Sequence, residues 1–181
     1  MLVERIIKLI EQDRLRKKAL ECVVSLNLPQ GYIAAGFVRN LVWDDLHQNK
    51  RPTPLNDIDV IYFDSEARNI DKDKMYEMKL RQIMPEINWQ VKNQALMHIR
   101  NGDRPYLNIV DAMSFWPEKE TAVAIRRVNN GRYECLSAFG FDSLFQLLVT
   151  HNPKRSKAIF DERVSAKQWL NLWPQLTILS D

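Results

Sequence analysis

The chain has 181 residues, 45% hydrophobic and 27% charged, which excludes a disordered composition and suits one domain with its own core. A formal net charge of +3 permits a phosphate-bearing partner without demanding one, since domains held to nucleic acid mainly by charge carry denser Lys/Arg clusters. Cys22 and Cys135 lack metal-ligand spacing and read as small buried hydrophobes in a reducing compartment. No apolar run could span a bilayer, and MLVERIIKLIEQDRLRKK lacks the unbroken apolar stretch of a signal peptide, so a cytoplasmic protein is expected.

Apolar residues at Leu2, Ile6, Ile7, Ile10, Leu15, Ala19, Leu20 and Val23 follow a helical rhythm that Leu28-Pro29 closes, giving one long helix or two short ones within 1–29. YIAAG then reads as a short buried strand, and FVRNLVWDDLH as a helix, which puts Gly36 at the strand-to-helix turn. QNKRPTPLN (48–56) forms a loop, and IDVIYF a central strand that Asp57 and Asp59 begin. A polar connection, DSEARNIDKDK, leads to a helix over 73–84, and INWQVKNQALM (87–97) reads as another strand. Residues 99–107 form a loop, after which Asn108 caps a short helix containing Asp111 and Ala112. TAVAIRRV and RYECLSAF, joined by Asn129-Asn130-Gly131, predict a hairpin, and FDSLFQLLV and KAIFDERVSAKQWLNLW two further helices.

The whole is one α/β (α+β) domain over 1–181. A helical segment (1–29) precedes a sheet core (30–140) with a mixed sheet of about five strands flanked by helices, and helices follow over 141–181.

Along a strand, residues 57 and 59 point to one side, so the two carboxylates converge. Such a pair has one raised pKa unless a cation lies between them. Oxygen ligands completed by phosphate and water describe Mg2+ or Mn2+, with Asp57 and Asp59 as metal ligands. The plainer alternative makes Asp57 a turn residue and pairs Asp59 with Arg39 or Arg51. Upstream, the Gly36 turn offers free backbone N–H groups and a positive helix end to an anion, and Arg39 and Asn40 on the first turn add donors toward the same phosphates.

The run G-F-V-R-N (Gly36 to Asn40) followed by Asp-x-Asp resembles the nucleotidyltransferase superfamily of DNA polymerase β, and especially the G-x-V-R-D of tRNA nucleotidyltransferases, with Asn40 in place of aspartate. The chain is still more similar to a family of small stand-alone bacterial nucleotidyltransferase-like proteins. That resemblance rests on G-F-V-R-N-x-V-W-D-x-L-H (Gly36 to His47), N-D-I-D-V-I-Y-F-D (Asn56 to Asp64), V-K-N-Q-A with Met97-His98, W-P-E-x-x-T-A (Trp116 to Ala122) and F-G-F-D-S-L-F (Phe139 to Phe145). N-P-K-R near Asn152 and F-D-E-R-V-x-x-K-x-W (Phe160 to Trp169) extend it over most of the chain from residue 31.

The resemblance implies transfer of a nucleoside monophosphate from an NTP to the hydroxyl of an unknown acceptor, whether small molecule, RNA or protein. Asp57 and Asp59 would be catalytic, and Gly36, Phe37, Arg39 and Asn40 would lie on the triphosphate. Lys92, Asn93 and Gln94 would contact sugar or acceptor. Phe37 stands where such enzymes usually have glycine or serine, and the interval from Gly36 to Asp57 is longer than usual. The third carboxylate of active members has no counterpart on the strand at 89–97, where Asn93 or Gln94 takes its place, so an inactive nucleotide-binding or interaction module is the alternative.

His98 could orient a phosphate or protonate a leaving group and His47 could face the rim, yet histidines so spaced are more often ordinary surface or satisfied ones. Lys154, Arg155 and Lys157 suit a solvated face or a phosphate grip, and Trp89, Trp116, Trp169 and Trp173 suit core packing.

Overall fold

Asp13 divides the N-terminal segment into two helices. Its extended backbone ends α1 (Leu2–Gln12), and its carboxylate accepts from the Arg16 amide at 2.9 Å to open α2 (Arg14–Val24). These elements belong to a computed structural model that describes residues 1–68, 71–128 and 130–180. After them come β1 (Tyr32–Ala34), α3 (Gly36–Leu46), β2 (Ile58–Tyr62), α4 (Asp71–Ile83), β3 (Trp89–Asn93), α5 (Gln94–Asn101) and α6 (Ile109–Met113). A 3-10 turn (Lys119–Thr121) leads into β4 (Val123–Arg127) and β5 (Tyr133–Ser137). The C-terminal part holds α7 (Asp142–Phe145), β6 (Leu148–Thr150), α8 (Lys157–Lys167), α9 (Trp169–Leu172) and β7 (Thr177–Leu179).

Five strands form one mixed sheet in the order β3-β2-β1-β4-β5, as the alternating and β-branched runs predict. Only β2 and β3 run parallel, and α4 makes the crossover that parallel neighbours need. Side chains at alternate positions divide the sheet into two faces. Ile33, Ile58, Val60, Tyr62, Trp89, Val91, Val123 and Ile125 belong to the main core with residues of α1 to α4. Tyr32, Ala34, Ile61 and Ala124 build a second core with Ala95, Ile109, Ala112 and Met113 of α5 and α6. Asp59 is in phase with Ile61 and so faces the second layer. At the β3 edge, the Val91 amide donates to Glu77 Oε1 at 2.9 Å and the Asn93 amide to Asp73 Oδ1 at 3.2 Å, both acceptors on α4.

Three expectations change. The strand expected over 87–97 stops at Asn93, because the Asn93 side chain accepts from the Ala95 amide at 3.1 Å and starts α5, which makes Gln94 to Met97 helical. Phe141–Val149 is not one helix: after α7, Leu147 at φ +58° reverses the chain into β6, which pairs in parallel with β7. The C-terminal segment therefore carries two short strands among its helices, and the helix expected over 157–173 is divided into α8 and α9 by Gln168 at φ +53°. The β4–β5 hairpin forms, with Gly131 at φ +82°, but Asn129 of its expected turn lies outside the described residues, as do Asn69 and Ile70 of the polar connection. Among the described residues no helix is long and apolar enough to cross a membrane.

Asp44 fastens the outer elements to α3. Its buried carboxylate accepts from Asn49 Nδ2 (2.8 Å), the Thr53 amide (2.7 Å), Thr53 Oγ1 (2.6 Å) and Trp173 Nε1 (2.9 Å). The 48–56 loop and the C-terminal segment thus share one acceptor, and Trp173 and Trp169 meet Trp43 edge-on at 5.1 and 5.8 Å. Asp44→Ala strands these donors in a dry site and should lower stability by about 3 kcal/mol, measured by denaturant unfolding, with faster amide exchange at Thr53. Unchanged stability would contradict the shared-acceptor role.

Candidate active site

The turn into α3 is made by Ala35, not by the glycine expected there. Ala35 sits at φ +56°, ψ −123°, a conformation that costs a residue with a Cβ about 1–3 kcal/mol. Gly36 leaves room for its neighbours instead: a Cβ there would lie 3.3 Å from Asn40 Oδ1 and 3.4 Å from Arg39 Nη2 and would crowd both side chains. The Val38 and Arg39 amides turn back to Ala35 O, and no side chain caps the helix. Its positive end is left open toward a cleft of about 580 Å³.

Arg39 is buried in the wall of that cleft. Nη1 donates to Thr121 Oγ1 at 2.7 Å and Nη2 to Asn40 Oδ1 at 3.0 Å, while Nε has no partner among the described residues. The guanidinium lies 4.6 Å from the Trp169 ring and 5.1 Å from that of Trp43. Burial pulls its pKa down to about 10, with Glu118 the foremost opposing charge, so it stays cationic at neutral pH.

Asp57 and Asp59 line the same cleft. Among the described residues neither carboxylate accepts a hydrogen bond or enters an ion pair, so the alternative pairing of Asp59 with Arg39 or Arg51 is absent. Burial first, and then Asp57, push the Asp59 pKa up to about 6 against the attraction of Arg39, Lys167 and Arg163. Two unpartnered oxygen donors beside an open anion site fit a Mg2+ ion, which typically takes one or two carboxylates and completes its shell with water and substrate phosphate. Among the described residues no group of three or more His, Cys, Asp or Glu is arranged to hold a metal.

Gly36, Arg39, Asn40, Asp57, Asp59, Lys92 and Gln94 all meet in the cleft. Phe37, Asn93 and His98 lie outside its lining. Phe37 is 1% exposed in the main core, under the Arg16 guanidinium at 5.5 Å. Asn93 is spent on α5 and on Asp64, whose amide it accepts at 3.0 Å and whose carbonyl it meets at 2.9 Å. His98 Nδ1–H donates to Ala95 O at 2.7 Å, and its ring abuts Tyr106. His47 is structural, donating from Nδ1 to Trp43 O at 2.8 Å and accepting from the Gln175 amide at 3.1 Å.

Gln90, paired in register with Asp59, and Lys92 are the β3 residues on the cleft, so the neighbouring strand presents no acid there. The acids further on are engaged elsewhere: Asp111 with Arg104, Glu118 with Arg163, and Glu120 with Thr150. Sequence reasoning missed Arg163 and Lys167, both on the cleft. Their i, i+4 spacing on α8 was the available signal, since it puts both on one helix face.

Strand order, crossover helix and cleft together define a nucleotidyltransferase-like fold. A sequence model described as nucleotidyltransferase matches residues 21–178, and the chain belongs to that family. It is similar to a protein whose NMR structure is described as revealing a CCA-adding enzyme head domain, at 28% identity, TM-score 0.85, and coverage of 98% of this chain and 96% of that one. A CCA-adding enzyme in complex with CTP (13% identity, TM-score 0.63, 98% of this chain and 43% of that one) shares the fold. So does a tRNA-processing enzyme in an apo form (13%, TM-score 0.53, 90% and 44%); this chain spans less than half of either. No relative matches among curated proteins.

Two stability predictions follow from this geometry. Ala35→Gly removes the strained Cβ and should stabilise the protein by about 1 kcal/mol in chemical denaturation, strain relief outweighing the added freedom of the unfolded chain. A loss would show the turn to be unstrained. Because the folded Asp59 pKa lies above the ordinary 3.8, its ionisation costs folding energy that appears as pH rises from about 4 to 6 and is complete above that. Asp59→Asn should therefore match wild type near pH 4 and exceed it by up to about 3 kcal/mol at pH 7.5 in metal-free buffer. A variant less stable than wild type at pH 7.5 would mean that the carboxylate has a partner after all.

Proposed function

We propose that the chain transfers a nucleoside monophosphate from an NTP to an acceptor hydroxyl, releasing pyrophosphate. The observation that carries this reading is the unpartnered Asp57/Asp59 pair in one cleft with the uncapped start of α3 and the buried Arg39. Asp57 and Asp59 would hold Mg2+ or Mn2+, which when bound neutralises the transferring phosphoryl group and lowers the pKa of the attacking hydroxyl. The open amide end of α3, with Arg39 and Asn40, binds the triphosphate and orients its α-phosphorus. The acceptor hydroxyl gives up its proton to solvent, its oxygen forms a bond to that phosphorus as the bond to the bridging oxygen breaks, and pyrophosphate departs with that oxygen. Arg163 and Lys167 face the same space and offset the charge on the leaving group. Lys92 and Gln94 contact sugar or acceptor.

Incubation with each labelled NTP, Mg2+ and a pooled metabolite or RNA extract should release pyrophosphate. The Asp57→Ala, Asp59→Ala double variant should slow release by roughly a hundredfold or more. Equal release from both proteins would overturn the assignment. Metal-dependent NTP binding without turnover would instead favour a nucleotide-binding module, which the acid-free cleft face of β3 also suits.

A further inference from the structure

Of the five tryptophans, Trp43, Trp89, Trp169 and Trp173 are at most 3% exposed, whereas Trp116 is partly exposed and lines the cleft. Its indole rests against the second core, yet among the described residues its ring has no aromatic or cationic partner and its N–H has no acceptor. The exposed part of the ring and an unengaged donor are therefore left for whatever enters. The backbone beneath is rigidly held. Asn152, 2% exposed, donates from Nδ2 to Ser114 O at 2.8 Å and to Trp116 O at 2.7 Å, and its amide donates to Pro117 O at 2.9 Å.

The next few residues anchor the cations of the cleft. Glu118, two residues on, holds Arg163, and Thr121 holds Arg39. One short segment thus carries a partly exposed aromatic ring into the same cleft as Arg39 and Arg163, the two cations it anchors. That layout suits a molecule with a polyanionic tail and a flat ring joined through a small spacer.

We propose that Trp116 is the stacking platform for the base of the incoming nucleoside triphosphate. The inference rests on the nucleotidyl-transfer reading of this cleft and adds the element that grips the base. Stacking is tolerant of base identity because every base has a π-face, so the platform supplies affinity and orientation to all nucleotides alike.

Calorimetry with Mg2+ and ATP, CTP or inorganic tripolyphosphate, in the absence of any acceptor, tests this on wild type, Trp116→Ala, Trp116→Leu and Trp116→Phe. Leucine retains apolar packing without the π-face, and decides the matter should the alanine variant fail to fold. The alanine and leucine variants should bind ATP and CTP roughly 5- to 100-fold more weakly, the phenylalanine variant within about threefold of wild type, and tripolyphosphate should bind all folded forms equally. Unchanged ATP affinity in the leucine variant, or an equal loss for tripolyphosphate, would overturn the platform while leaving nucleotidyl transfer standing. Wild-type protein that binds neither nucleotide nor tripolyphosphate would overturn both.

Discussion

Helix α2, the turn before β4, the 48–56 loop and the C-terminal tryptophan Trp173 are all fastened to α3 through charged groups withdrawn from water. Arg16 reaches from α2 to donate to Phe37 O at 2.8 Å, Arg39 holds the turn before β4 through Thr121, and Asp44 gathers the 48–56 loop and Trp173. A buried charge is tolerable only with hydrogen-bond partners, so each of these contacts dictates where its partner segment lies. Segments far apart in the chain therefore share one frame. The helix whose open end faces the cleft is also the helix that positions the loop, the 3-10 turn and the C-terminal tryptophans around it.

The same exclusion of water explains the perturbation of Asp59 and of Arg39. Asp59 becomes a weaker acid and Arg39 a weaker base, each chiefly because burial disfavours its charged form. Their mutual attraction offsets this only partly, since they do not touch. A cleft that keeps Asp57 and Asp59 near Arg39 without joining them suits a ligand bringing both signs at once, and a polyphosphate with its counter-cation is such a ligand. An apolar or singly charged molecule would leave one set unsatisfied.

Much of this was legible in the sequence because it depended on local pattern. Alternation and β-branching located all five strands of the main sheet, Asn108 announced α6 through its cap, and the Gly36 and Asp-x-Asp motifs fell in one cleft. What escaped depended on contacts between distant segments or on competition between side chain and backbone. Asn93 read as a strand residue contacting sugar or acceptor, but its side-chain amide caps α5 and binds Asp64. Gly36 attracted attention as the turn residue, whereas the positive φ falls on Ala35, whose Cβ ordinarily argues against it. The exposure of Trp116 follows from how the segment after α6 is held by Asn152, which no periodicity records.

The edge of the sheet carries a consequence of another kind. Exposed amides on an outer strand invite a strand from a second molecule, a common route to aggregation. On β3 the Val91 and Asn93 amides are already taken by Glu77 and Asp73, and the latter also holds the Tyr62 hydroxyl at 2.7 Å. A foreign strand would have to displace carboxylates seated on a packed helix before pairing could begin. Growth of the sheet from molecule to molecule is thereby opposed on the side that bears Gln90 and Lys92, and this stretch of the cleft floor keeps its shape in a crowded solution.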